Sequence, residues 1–195
     1  AAGELAEERG MLVLRARGGL LEQGLEYGIV RQLLERVVID AGPKRREGLL
    51  QGPAAAAAIP LGLSELPQDP GPGRDASGNI LHGLHWLVNN LTAEQPVLLA
   101  VDDAQWADLA SLRAGNYLAQ RLEGMRAAML VAVRDDDPSE EAGTLREILG
   151  SNHTTYLKPQ PLTIAAVEEV IRSAFDGAEA PADLVSACHH ASGGN

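Results

Sequence analysis

Two adjacent carboxylates, Asp102 and Asp103, close the apolar run Val97-Leu98-Leu99-Ala100-Val101 and are the residues best placed for chemistry. An aspartate at a strand end can hold a divalent cation directly or through water, and a neighbouring acid can orient or deprotonate a water molecule. The plainer reading is an acidic turn after a core strand, since a short motif is only a hypothesis. Other candidates are weaker. His82 and His85 share helical i, i+3 spacing but lack the cysteine or carboxylate partners that a zinc set requires. Cys188-His189-His190 are consecutive, and a helix cannot turn all three toward one ion. Asp135-Asp136-Asp137, before Pro138, reads as a solvated loop feeding a helix start. Arg15 and Arg17 follow a short strand, where they either approach a phosphate or a partner subunit or are simply solvated. Trp106 reads as a packing residue of the loop after the acids. Neither G-x-S-x-G nor G-x-G-x-x-G occurs, which removes the serine-hydrolase and dinucleotide signatures.

Such groups need a frame to hold them. An uninterrupted apolar run between Pro96 and two acids predicts a strand buried on both faces, the habit of parallel sheets covered by helices. Open α/β sheets place ligands at the carboxyl ends of such strands. Met11–Leu14 and Met129–Val133 predict two more buried strands, and Thr155–Leu157 a weaker one. Tyr27, Val30, Leu34, Val37 and Val38 recur at helical spacing over about 25–38, with Gly42-Pro43 as the stop. Ile80, Leu84, Leu87, Val88 and Leu91 mark a second helix, capped near Ser77 or Asn79. Asp108 caps a third, carrying Leu109, Leu112, Leu118 and Leu122 as far as Gly124; Gly115 inside it costs roughly 1 kcal/mol relative to alanine. A short helix is expected over Thr144–Leu149, another after Pro161-Leu162-Thr163, and a last one from Pro181 to Gly193. The stretch from Ala54 to Asn79 is rich in Ala, Pro and Gly, and Pro67–Gly73 within it reads as a surface loop. Strands alternating with helices predict an α/β fold, a parallel sheet flanked by helices, with the final helices starting a helical lid. The expected division is 1–160 for the α/β core and 161–195 for the start of the lid.

At 195 residues, 45% hydrophobic and 22% charged, the chain can build a globular core, and with 3% aromatics that core must be aliphatic. A formal charge of −11 argues against direct nucleic-acid contact by this segment, because phosphate binding is largely electrostatic. One cysteine excludes an internal disulfide and suits a reducing compartment. Neither a signal peptide nor a membrane-spanning run is present, so a cytoplasmic location away from membranes is expected. The opening, Ala1 to Gly10, resembles a helix tail without initiator or cap and predicts a piece of something longer.

Four segments together resemble one family: Tyr27-Gly28-Ile29-Val30-Arg31-Gln32-Leu33-Leu34, His82-Gly83-Leu84-His85-Trp86-Leu87, Val97 through Asp108, and Ser192-Gly193-Gly194-Asn195. They look like the ATPase module of large LuxR-type transcriptional regulators, an AAA-like, STAND-class P-loop domain. The string Asp102-Asp103-Ala104-Gln105-Trp106-Ala107-Asp108 resembles that family's Walker B segment, although its members more often carry His where Gln105 stands. The resemblance implies ATP and Mg²⁺, with Asp102 on the Mg²⁺ side and Asp103 orienting the attacking water. Arg134 matches the position that senses the γ-phosphate, and Gly193, Gly194 and Asn195 match the start of a Gly-Gly-Asn-Pro motif near the adenine. Expected partners are the nucleotide and other domains of the same longer protein, and a homo-oligomer is compatible with this reading.

One departure is large. A P-loop requires G-x-x-x-x-G-K-[ST], whose backbone N–H groups cradle phosphates, yet no Gly-Lys-Ser or Gly-Lys-Thr occurs in the chain. Pro43-Lys44 stands in the wrong context. Truncation ahead of Ala1 is the simplest expectation, and it predicts weak Mg-ATP binding, an inactive fragment, and a chain that is either unstable or has a gap in its sheet. The function expected of the complete domain is an ATP-binding and hydrolysing regulatory switch. A nucleotide-independent interaction scaffold with the same fold is the alternative.

Overall fold

The apolar run before the paired acids forms β2 (Val97–Asp102), which lies between β1 (Leu12–Arg17) and β3 (Ala127–Val131) and runs parallel to both. In register, Leu12 faces Val97 and Arg17 faces Asp102 on one side, while Val97 faces Ala127 and Val101 faces Val131 on the other. The computed structural model describes residues 2–20, 24–64, 76–134, 154–175 and 177–195, which divide into two units, Ala1–Thr154 and Thr155–Asn195. The expected features over Pro67–Gly73, Asp135–Asp137 and Thr144–Leu149 lie outside the described residues.

Val97, Leu98 and Leu99 are all buried, so β2 has the expected two-sided burial at its start. Its neighbours differ. Leu14 and Ala16 of β1 are buried while Arg15 and Arg17 are exposed, and β3 alternates half-buried with exposed positions. The two-sided burial expected for Met129–Val133 is therefore corrected: the alternation in β3 is the pattern of a strand covered on one face, and among the described residues it pairs only with β2. Among the described residues the three strands are contiguous.

Helices α1 (Ala2–Glu8), α2 (Gly28–Ile39), α3 (Pro43–Leu49), α4 (Ala76–Glu94) and α5 (Leu109–Ala119) complete the first unit. Of the residues with helical spacing, Val30, Leu34 and Val38 of α2 and Ile80, Leu84, Leu87, Val88 and Leu91 of α4 reach the core, where α2 adds Ile29 and Leu33 while Tyr27 and Val37 are only partly buried. Burying each such aliphatic side chain contributes about 1.5–3 kcal/mol. Gly42-Pro43 does not merely end α2. Gly42 is the N-cap and Pro43 the first residue of α3, a use of proline that the first helical turn tolerates because that N–H has no helical partner. The alanine run also takes a regular form. Gly52–Ala58 forms a 3-10 helix whose Ala54, Ala57 and Ala58 are buried. Gly83 of α4 lies against it so closely that a Cβ there would come 2.8 Å from the Ala57 nitrogen.

The second unit pairs α6 (Ile164–Ala174) with α7 (Ala182–Ser192), burying Val167 and Val185. Thr163 caps α6, its side chain accepting from the Ala166 N–H at 3.2 Å. The strand expected over Thr155–Leu157 does not form; Leu157 is 74% exposed, with no strand beside it among the described residues. No helix among the described residues is long and apolar enough to cross a membrane.

Candidate active site at the tip of the sheet

Asp102 is the last residue of β2, and Asp103 follows in the left-handed region at φ 50°. Aspartate enters that region more readily than most residues, and such backbone conformations concentrate where geometry serves a site. The turn folds back through the short 3-10 segment Ala104–Trp106. Gly18, just past β1, passes so near that any side chain there would collide with the Asp103 carbonyl oxygen. That close passage brings the ends of β1 and β2 together.

Parallel register then places Arg17 beside both acids. Its Nε and Nη2 lie 2.9 and 2.8 Å from Asp103 Oδ2, and its Nε is 4.0 Å from Asp102 Oδ2. Gln105 Nε2 donates to Asp103 Oδ1 at 3.1 Å, and Arg134 Nε stands 3.6 Å from the same oxygen. Gln105 also accepts from the Arg134 N–H at 3.3 Å, so one amide ties the turn to the chain leaving β3. The Asp103 N–H donates to Asp102 Oδ1 at 3.0 Å. Both Asp103 oxygens are thus engaged, and the side chain is 14% exposed while those of Arg17 and Arg134 are 71% and 72%. The hydrogen bond from Arg17 first, and then that from Gln105, holds the Asp103 carboxyl below the usual carboxylate range. The same bond pushes the Arg17 guanidinium up. A carboxylate stabilised in this way is a weak proton acceptor until a donor leaves it.

Asp102, Asp103 and Arg134 are therefore brought together, with Arg134 lying beyond β3 rather than ending it. Arg17 and Gln105 complete the group. The strand-end position of Arg17 was visible in the sequence, but its partner depends on a register between segments about eighty residues apart. Gln32 of α2 adds support, its Oε1 accepting from the Arg17 N–H at 2.9 Å and its Nε2 donating to the Arg17 carbonyl at 3.1 Å.

Asp108, at the far end of the same acidic string, serves the scaffold. Its Oδ1 accepts from the Ser111 N–H at 2.9 Å, capping α5, and from the Tyr27 N–H at 2.8 Å; its Oδ2 accepts from the Gly28 N–H at 2.9 Å. One carboxylate thus caps two helix starts.

Gly193, Gly194 and Asn195 belong to the second unit. Both glycines have positive φ, and Gly194 lies so near the start of α6 that a Cβ would fall 2.6 Å from the Leu162 oxygen. The Leu162 N–H donates to the Gly194 carbonyl at 2.7 Å, and the Asn195 N–H to Ser192 at 3.1 Å. His189 Nε2 meets the Leu162 carbonyl at 3.1 Å, and His82 Nε2 accepts from the Trp86 indole at 3.0 Å, so both Nε2 atoms have protein partners. Among the described residues no group of three or more His, Cys, Asp or Glu could hold a metal.

The family model described as AAA ATPase domain matches residues 1–133, which include β1, β2, β3 and the acidic pair. No curated protein and no solved structure matches the chain.

Proposed function

We propose, because this chain belongs to the AAA ATPase domain family, that its nucleotide-binding, ATPase-like module is a regulatory switch driven by ATP binding and hydrolysis. The finer reading is the ATPase module of a signal-responsive transcriptional regulator of the large LuxR type, in the STAND class. It draws on the Asp-Asp-Ala-Gln-Trp-Ala-Asp string and the ordered segments around it. The observation that carries the ATPase reading is the acidic pair at the tip of the central parallel strand, with two guanidinium groups facing it.

Family membership implies nucleotide, usually with Mg²⁺, and the donor set at the strand tip fits that pair in part. Mg²⁺ commonly takes one or two carboxylates and fills its shell with waters and phosphate oxygens. Asp102, exposed at the strand end, supplies one such hard oxygen ligand. Arg17 and Arg134 offer planar, permanently charged donors for phosphate oxygens. A phosphate cradle with Gly-Lys-Ser/Thr is not among these 195 residues. When bound, Mg²⁺ neutralises phosphate charge. Asp102 would hold the metal side, Asp103 would orient the attacking water and Arg134 would read the terminal phosphate, while Gly193, Gly194 and Asn195 match the family motif assigned to the adenine. Other domains of a longer protein receive the signal, in a cytoplasmic setting, with self-association compatible.

The test is Asp103→Asn in the longest natural reading frame containing this chain. ATP binding persists while hydrolysis slows by roughly 10²-fold, the lower end of what a positioned base contributes. Loss of binding instead moves Asp103 into metal coordination and overturns that assignment of roles. A second reading, a nucleotide-independent scaffold, is favoured by the full engagement of both Asp103 oxygens. It requires that neither the unaltered protein nor the variant bind ATP.

A further inference from the structure

We propose that Arg17 is an exchangeable positioning residue, held by Asp103 while the site is without phosphate and transferred to the terminal phosphate when it arrives. This rests on the ATPase reading above and deepens it, giving Arg17, there a donor for phosphate oxygens, an exchange between two partners. Three observations carry it. Two Arg17 nitrogens converge on Asp103 Oδ2, Nε through a charge-assisted hydrogen bond at 2.9 Å and Nη2 at 2.8 Å, while Oδ1 is left to Gln105 and Arg134. The Arg17 side chain nevertheless remains 71% exposed, so another anion can reach it without unfolding anything. Its backbone is fixed independently of its side chain, because Gln32 takes both the Arg17 N–H and carbonyl. The side chain can therefore turn while the strand end stays in place.

The chemistry favours exchange over a permanent pair. A terminal phosphate offers more negative charge and more oxygens than one carboxylate, and guanidinium binds both in the same forked geometry. Moving Arg17 from Asp103 to phosphate removes the strongest donor from Asp103 Oδ2. That oxygen is then open to a water molecule, while Gln105 and Arg134 still hold Oδ1. Without phosphate, the acid is occupied and water is not activated. Arrival of the phosphate frees the acid.

Inorganic triphosphate with Mg²⁺ is the probe, titrated into the longest natural reading frame containing this chain while the Arg17 Nε–H signal is followed by NMR. In the unaltered chain that signal is protected from solvent exchange and shifts as triphosphate binds. Asp103→Asn removes the protection and tightens triphosphate, whereas Arg17→Ala weakens it. Combined, the substitutions are non-additive by at least about twofold, because residues sharing one interaction couple. Arg17→Lys recovers only part of the affinity, since an ammonium cannot form the fork. Additive effects overturn the exchange, as does an Arg17 signal that triphosphate leaves unmoved, or failure of triphosphate to bind either the unaltered chain or Asp103→Asn. Circular dichroism of each variant reads folding separately, and Gln32→Ala provides a second route, loosening Arg17 without touching either acid. The two proposals fail separately. Asp103-dependent ATP hydrolysis with additive triphosphate effects removes the exchange alone, while coupled triphosphate effects without ATP turnover remove the ATPase reading alone.

Discussion

Asp103 and Asp108 are five residues apart in one string, yet they occupy opposite physical situations. Asp103 sits at the tip of the sheet, ringed by exposed arginines that ligands can reach. Asp108, 6% exposed, lies at the base of the same turn, and all three of its partners are backbone N–H groups of helix starts. Side-chain partners can be exchanged without disturbing the fold, whereas backbone partners cannot. The contrast teaches that residue type alone does not separate chemistry from architecture; the identity of the donors does.

The largest expected effect tests that contrast directly. Asp108→Ala strips a cap and leaves N–H groups at two helix starts without their acceptor, so it lowers stability by roughly 2–4 kcal/mol in urea unfolding. Asp103→Asn leaves the urea midpoint near that of the unaltered chain. Equal losses from the two would erase the distinction between tip and base.

Gly115→Ala sharpens it from the stabilising side. Gly115 lines a small apolar cavity of about 40 Å³ beneath the sheet, together with Val30, Leu34, Leu84, Leu99 and Leu112. A methyl group there fills space and removes the helical cost of glycine, raising stability by about 1 kcal/mol. The site at the tip is untouched, so the Arg17 Nε–H signal stays where it was. A fall in melting temperature would mean that the cavity wall has no room.

The smallest effect is a pH dependence of the body. His85 makes edge contacts with Trp86 and Tyr117, and its Nδ1 is buried without a hydrogen-bond partner among the described residues. Burial first, then the charges of His82 and Arg121, pulls its imidazole below the ordinary value. The unfolded chain therefore takes up this proton more readily than the folded one. Its contribution is complete above about pH 6.5, declines as pH falls from there through the lowered folded value, and levels off beneath it. Urea midpoints of the unaltered chain and His85→Gln, compared across that window, should show the steeper acid-side decline in the unaltered chain. Parallel curves would remove His85 as the cause.

Much of the frame was legible because burial follows period. The apolar spacing in α2 and α4 and the continuous run of β2 correspond to the residues that the core takes up. Where the sequence misled, a local signal had two meanings. Gly42-Pro43 reads equally as a stop or as a start, and α3 behind it is too charged to announce itself. The alanines after Gly52 look like filler until Gly83 of α4 is seen pressed against them. For the site, the acids and Arg134 were visible as strand-end residues. So was Arg17, but not its partner, and the roles of Gln32 and Gln105 were not, because these arise only when the segments fold together.

The amide of Gln32 has one more consequence. By occupying the outward-facing N–H and carbonyl of Arg17, it behaves as a stub of neighbouring strand, ending the ladder where a real one would otherwise continue. Exposed ladder groups invite further strands to join, from other chains as well as from the same one. At this corner the invitation is withdrawn, and the approach to the acids is kept clear of intruding backbone.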